Sequence, residues 1–217
     1  MGSKGEKTRQ RILNDTAELF RTKGFGATSI KDLLEATGVT KGSLYFHFPG
    51  KDELALEYLR QEGERFMAFI EAGLEGKTAV EKIDRFLHKA LAYHRGTGFV
   101  GGCLFGNTAL ETSDTSPAFA ALTADIFTQW KKKLAVVIAQ AQADGSMQPA
   151  HKAEDVAEFI IAVLEGGIMQ SRLHKTERPM KNCIRTLRLM LYPNPPSREA
   201  NSTHQSQGEK HEPPQDS

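Results

Sequence analysis

The sequence predicts an all-α protein. Apolar residues recur at three- and four-residue spacing almost continuously up to residue 192, which is the period of a helix face, and no alternating apolar–polar run persists as a strand would require. Glycine, proline and cap-forming residues cut that pattern into helix-length pieces. A chain of 217 residues is long enough for a small module followed by a larger one.

The first helix, about 6–23, carries Ile12, Leu13, Thr16, Ala17, Leu19 and Phe20 on its inward side and stops at Gly24, with Phe25 turning back onto the same core. Ser29, followed three residues on by Asp32, is a capping-box pair that opens a second helix with Ile30, Leu33 and Leu34 facing inward. It ends before Gly38. Thr40 caps a short third helix, and Pro49-Gly50 terminates it. Lys51 and Asp52 begin a long helix that reaches Ile70, and Thr78 begins another that runs to about Arg95. Residues 96–106 then hold five glycines, too many for a regular helix interior, so the backbone there can approach a neighbour closely. Further helices are expected at 117–143, 152–174 and 177–191. The 152–174 helix is apolar on more than one face and so lies between the core and something else. Residues 193–217 hold five of the nine prolines and no large apolar side chain, which predicts a disordered tail.

Composition narrows the function classes. Hydrophobic residues make up 39% and charged residues 25%, an ordinary globular balance, and no apolar run approaches the roughly 18 residues of a membrane span. The N-terminus carries Lys4, Glu6, Lys7, Arg9 and Arg11 where a secretory signal would be apolar, so a cytoplasmic location is expected. Cys103 and Cys183 stand far apart and outside metal-ligand spacing, and no cofactor motif accompanies them. The net charge of +1 hides an asymmetry, for residues 1–51 contain nine Lys/Arg against five Asp/Glu. That basic end is where a polyanion would dock.

Two short helices joined by Thr37-Gly38-Val39 and braced by a preceding helix form a helix-turn-helix, whose second helix enters a major groove. On that helix Leu44 and Phe48 sit one turn apart and pack inward, while Lys41 and Tyr45 project from a neighbouring face. Gly42 keeps the helix start slim against bases. Ser43, His47 and Lys51 offer donors to phosphate oxygens, with Lys51 also at a helix N-terminus that attracts anions. A plain packing role for Tyr45 and His47 is the alternative.

The string Gly24-Phe25, Thr28-Ser29-Ile30, Gly38-Val39-Thr40-Lys41-Gly42-Ser43-Leu44-Tyr45-Phe46-His47-Phe48 and Lys51-Asp52-Glu53-Leu54 closely resembles the DNA-binding domain of the tetracycline-repressor (TetR) family, over roughly residues 8–54. The resemblance implies a DNA-binding domain at 6–52 (motif about 28–48) and a larger helical effector-binding and dimerisation domain at 53–192. It also implies a homodimer that reads a palindromic duplex. Carried over position by position, Lys31, Lys41, Gly42 and Tyr45 become candidate base contacts, and Ser29, Ser43, His47 and Lys51 candidate phosphate contacts. Repression relieved by a small molecule is the family's usual mode.

For the effector pocket the aromatic and apolar candidates are Phe99, Leu104, Phe105, Phe127, Trp130 and Phe159. Cys103, in Gly101-Gly102-Cys103-Leu104-Phe105-Gly106-Asn107, stands just ahead of an expected helix whose dipole would favour a thiolate, with His94 and Arg95 as further sources of positive charge. That segment resembles the corresponding stretch of relatives that sense electrophiles or oxidants through a cysteine, whereas a small buried hydrophobe with an inert thiol is the structural alternative. An enzyme pairing Cys103 with His94 lacks a third orienting group, a metal set and a phosphate loop. A partner-binding protein without DNA affinity is opposed by the intact Lys41, Tyr45, His47 and Lys51.

Overall fold

A computed structural model describes residues 3–192, so the tail expected at 193–217 lies outside the described residues. Nine helices and no strands occur among the described residues: α1 (Lys4–Lys23), α2 (Ile30–Thr37), α3 (Lys41–His47), α4 (Lys51–Gly73), α5 (Ala79–Gly96), α6 (Leu104–Thr112), α7 (Pro117–Ala143), α8 (Ala153–His174) and α9 (Arg178–Leu191). No described helix is long and apolar enough to cross a membrane.

The helix starts follow from their caps. Ser29 and Asp32 exchange both bonds of a capping box at α2, and Thr40 accepts from Ser43 N–H at 3.2 Å to start α3. A second capping box, Ser3 with Glu6, begins α1 two residues earlier than its apolar pattern indicates. Gly38 closes α2 with φ 65°, the left-handed conformation that turns the chain sharply into α3. The glycine-rich stretch is a break only as far as Cys103, because α6 starts at Leu104 and takes Gly106 inside it. A Cβ on Gly106 would meet the Glu165 carboxylate of α8, which would have to swing aside, so the glycine leaves that carboxylate its place against α6.

Two apolar cores result. The first gathers Ile12, Leu13, Phe20, Leu33, Leu44 and Phe48 with Leu54–Leu59 of α4, and it also draws in Phe105, Phe119 and Ile126. It therefore runs past residue 52 and binds the N-terminal helices to α6 and α7. A second core fills the space among α5, α7, α8 and α9, with Ile83, Leu134, Ile138, Ile160, Leu164 and Leu187 at its centre. Phe66, Met67, Phe127 and Cys103 pack against both. Much of the outward side of α8 and α9 is apolar and exposed, in Phe159, Met169, Leu173, Leu189 and Met190.

Candidate DNA interface and ligand cavity

On α3, Leu44 and the following Phe48 are buried in the first core, which leaves Lys41, Gly42, Tyr45 and Phe46 facing outward. The Lys41 ammonium lies 5.9 Å from the Tyr45 ring centroid, so the two form one cationic and aromatic surface. Ser43 and His47 flank it, half-exposed. Lys31 projects from α2 with only Glu35 nearby, 3.7 Å away. Sequence reasoning overlooked Phe46, which is 82% exposed beside His47. The available signal was that Phe46 falls off the Leu44–Phe48 face and has no core to enter.

Two expected phosphate contacts are engaged inside the protein. The Ser29 hydroxyl both donates to Asp32 at 2.8 Å and accepts from its N–H, while Lys23 pairs with the same carboxylate at 2.7 Å. Lys23 first, then Ser29, holds the Asp32 carboxyl well below the usual carboxylate range. Lys51 donates to the carbonyls of Phe25 (3.0 Å) and Gly26 (3.2 Å), so it braces the α1–α2 loop. That loop is held from the other side by Glu111 at the end of α6, whose carboxylate accepts from Phe25 N–H at 3.2 Å and Gly26 N–H at 2.5 Å.

The opposite end of α6 meets a cavity of about 300 Å³ walled by residues of α4 to α8 and by Arg21 of α1. Of the sequence candidates, Cys103, Leu104, Phe105 and Trp130 line this cavity. Three other candidates do not. Phe159 is 43% exposed on the outward side of α8, Phe99 is buried in the second core, and Phe127 stacks on Trp130 from outside the lining at 5.8 Å. In their place stand Phe66, Phe69, Phe86 and Tyr93, together with the neutral-to-charged set His94, Glu62, Arg65, Arg21 and Glu165. Gly102, Cys103, Glu165 and Ile168 also line a separate groove between α6 and α8 that reaches Leu110 and Met169.

The electrostatics at Cys103 reverse the sequence expectation. Its sulfur does cap α6, accepting from Gly106 N–H at 3.4 Å. Burial nevertheless pushes the thiol well above its ordinary pKa, and the adjacent Glu165 carboxylate pushes it further. Neither basic neighbour offsets this, since burial depresses His94 to about 4 and Arg95 is paired with Glu177 at 2.5 Å. Burial also raises the pKa of Glu165. No described group of His, Cys, Asp and Glu has the arrangement of a metal site.

A helix-turn-helix held by a cavity-bearing helical body is the build of a DNA-binding transcriptional regulator. Residues 12–58 match the family model for bacterial regulatory proteins of the tetR family, and residues 79–187 match that for the tetracyclin repressor-like C-terminal domain. Among relatives, the HTH-type transcriptional regulator YxaF of Bacillus subtilis is 30% identical over 83% of this chain and 92% of its own. The HTH-type transcriptional repressor DhaR of Mycobacterium sp. strain GP1 is 24% identical over 86% and 93% respectively. A TetR transcriptional regulator of Chloroflexus aurantiacus, known as a crystal structure, is 33% identical with a TM-score of 0.78 over 85% of this chain and 93% of its own. The chain belongs to the TetR family of transcriptional regulators.

Proposed function

We propose that this protein is a cytoplasmic repressor that binds a palindromic operator as a homodimer and lets go when a small molecule fills the α4–α8 cavity. One observation carries the reading: α6 joins the cavity, at its Cys103 cap, to the DNA-binding module, at Glu111. A ligand that shifts α6 thereby shifts the α1–α2 loop on which the helix-turn-helix is built. The name of the relative DhaR supports the repressor sign.

Lys31, Lys41, Gly42 and Tyr45 make the base contacts in this reading, while Ser43 and His47 reach phosphates. Ser29 and Lys51 act by holding the module in shape. Paired α8 and α9 helices bury their apolar faces against a second copy, which places two recognition helices about 34 Å apart on successive major grooves. The test is selection of bound duplexes from random DNA, with a two-fold symmetric consensus as the expected result. An asymmetric consensus, or none, would remove the support for the operator. A cysteine-reactive effector is the weaker reading of Cys103, because its thiol is held protonated rather than activated.

A further inference from the structure

We infer that the cavity is built for a lipophilic monocation, an organic ammonium held by Glu165 within an aromatic wall; this specifies the ligand of the release reading proposed above. The cavity's charged groups are matched within the protein with one exception. Arg21 is paired with Glu18 at 2.7 Å, and Arg65 is paired with Glu62. Glu165 has the Cys103 thiol as a hydrogen-bonding neighbour but no ion-pair partner among the described residues, and its Oε1 is buried without any hydrogen-bond partner. A half-buried carboxylate whose sole neighbouring donor is a thiol is costly unless a cation joins it. Burial accordingly raises its pKa, and a bound ammonium would restore the ionised form.

The rest of the wall suits the same ligand. Phe66, Phe86, Phe105 and Trp130 present rings, whose negative faces attract a desolvated cation more strongly than any aliphatic wall would. Phe66 and Trp130 meet edge to face at 5.1 Å, and Phe66 and Phe105 lie 5.0 Å apart, so the rings enclose the space from two sides. Trp130 is only 3% exposed and its Nε1–H has no partner, so it is open to an acceptor elsewhere on the ligand rather than to the cation itself. At about 300 Å³ the cavity stands at the small end of ligand sites, which run from roughly 300 to 1,000 Å³, so it takes a molecule of one or two rings. Tyr93, 53% exposed, and the Arg65–Glu62 pair mark its solvent side.

Trp130 is the sole tryptophan of the chain, so its fluorescence reports occupancy directly. The probes are phenyltrimethylammonium and tert-butylbenzene, which have the same shape and differ in one atom and one charge. The parent protein is expected to bind the cation more tightly than its neutral isostere. In Glu165→Gln the cation's Kd should rise roughly 10- to 100-fold, the range for a lost charged contact, with tert-butylbenzene affinity unchanged as evidence that the cavity is intact. Tighter or equal binding of tert-butylbenzene by the parent overturns the inference, whatever the variant does. So does a cation affinity that Glu165→Gln leaves unaltered. Release of the selected operator is read separately. If the cation fills the cavity and the duplex stays bound, the release reading falls and the cation site stands. If the cation does not enter the cavity and tert-butylbenzene enters it and releases the duplex, the release reading stands and the cation site falls.

Discussion

Tyr45 and Lys41 differ from Lys51 in what their removal should do, although all three are polar residues of the same module. Tyr45 and Lys41 face outward as a joined surface, so Tyr45→Ala and Lys41→Ala should each reduce discrimination between operator and random duplex by about 1–3 kcal/mol. Lys51 instead ties the Phe25 and Gly26 carbonyls, so Lys51→Ala should lower affinity for every duplex alike and lower the melting temperature as well. Paired titrations on both duplexes separate these outcomes, and equal loss from all three variants would refute the division. A second residue-scale effect concerns pH. Burial depresses folded His94 to about 4 from an ordinary 6.5, so between those values the unfolded chain binds the proton and the folded one does not. Its contribution is therefore complete above pH 6.5 and disappears as pH falls toward 4, a loss of up to about 3 kcal/mol. Melting of the parent against His94→Gln between pH 4 and 7 should give curves that converge on acidification, and parallel curves would show that His94 does not titrate in this way.

Helix α6 is the element that ties the molecule together, since its first residue lies at the cavity and its penultimate residue, Glu111, holds the α1–α2 loop. Glu111→Ala leaves two backbone N–H groups without their acceptor, for a destabilisation of about 1–3 kcal/mol in a urea titration. An unchanged midpoint would mean that the carboxylate merely rests against the loop. The apolar face of α8 makes a different prediction. Leu173→Glu should convert a dimer to monomers by light scattering and abolish operator affinity, and a dimer that persists would place the interface elsewhere. How legible these elements are in the sequence depends on how local their chemistry is. Ser29 with Asp32, Gly38 and Thr40 announce the helix-turn-helix because each cap and turn is written within four residues. The cavity is assembled from six helices, and periodicity marks Phe66, Phe86 and Phe159 alike as apolar without distinguishing wall, void and outer surface. Phe159 therefore reads like a wall residue in the sequence, although it stands on the outward side of α8. Glu165 was the missed signal, a single acid within Val163-Leu164-Glu165-Gly166-Gly167-Ile168.

At the scale of the whole molecule, the two cores share Phe66, Met67, Phe127 and Cys103, so neither half can repack without the other. Arg21 extends the same union: it belongs to α1, reaches the cavity, and donates to the Val100 carbonyl at 3.0 Å. A residue of the N-terminal helices is thus part of the cavity wall. Thermodynamic reciprocity then applies, and whatever factor an occupant takes from DNA affinity, bound DNA must take from the occupant's affinity. Titrating the cavity by Trp130 fluorescence with and without saturating operator should give two dissociation constants in that ratio, and identical constants would mean the sites are uncoupled. If an occupant of the cavity does release the DNA, the same equality sets a threshold for a cell: protein resting on its operator would need a higher concentration of the signal to be dislodged than free protein needs to be filled. Spare copies off the DNA would then soak up the first molecules, and the promoter would answer only once that reserve is used.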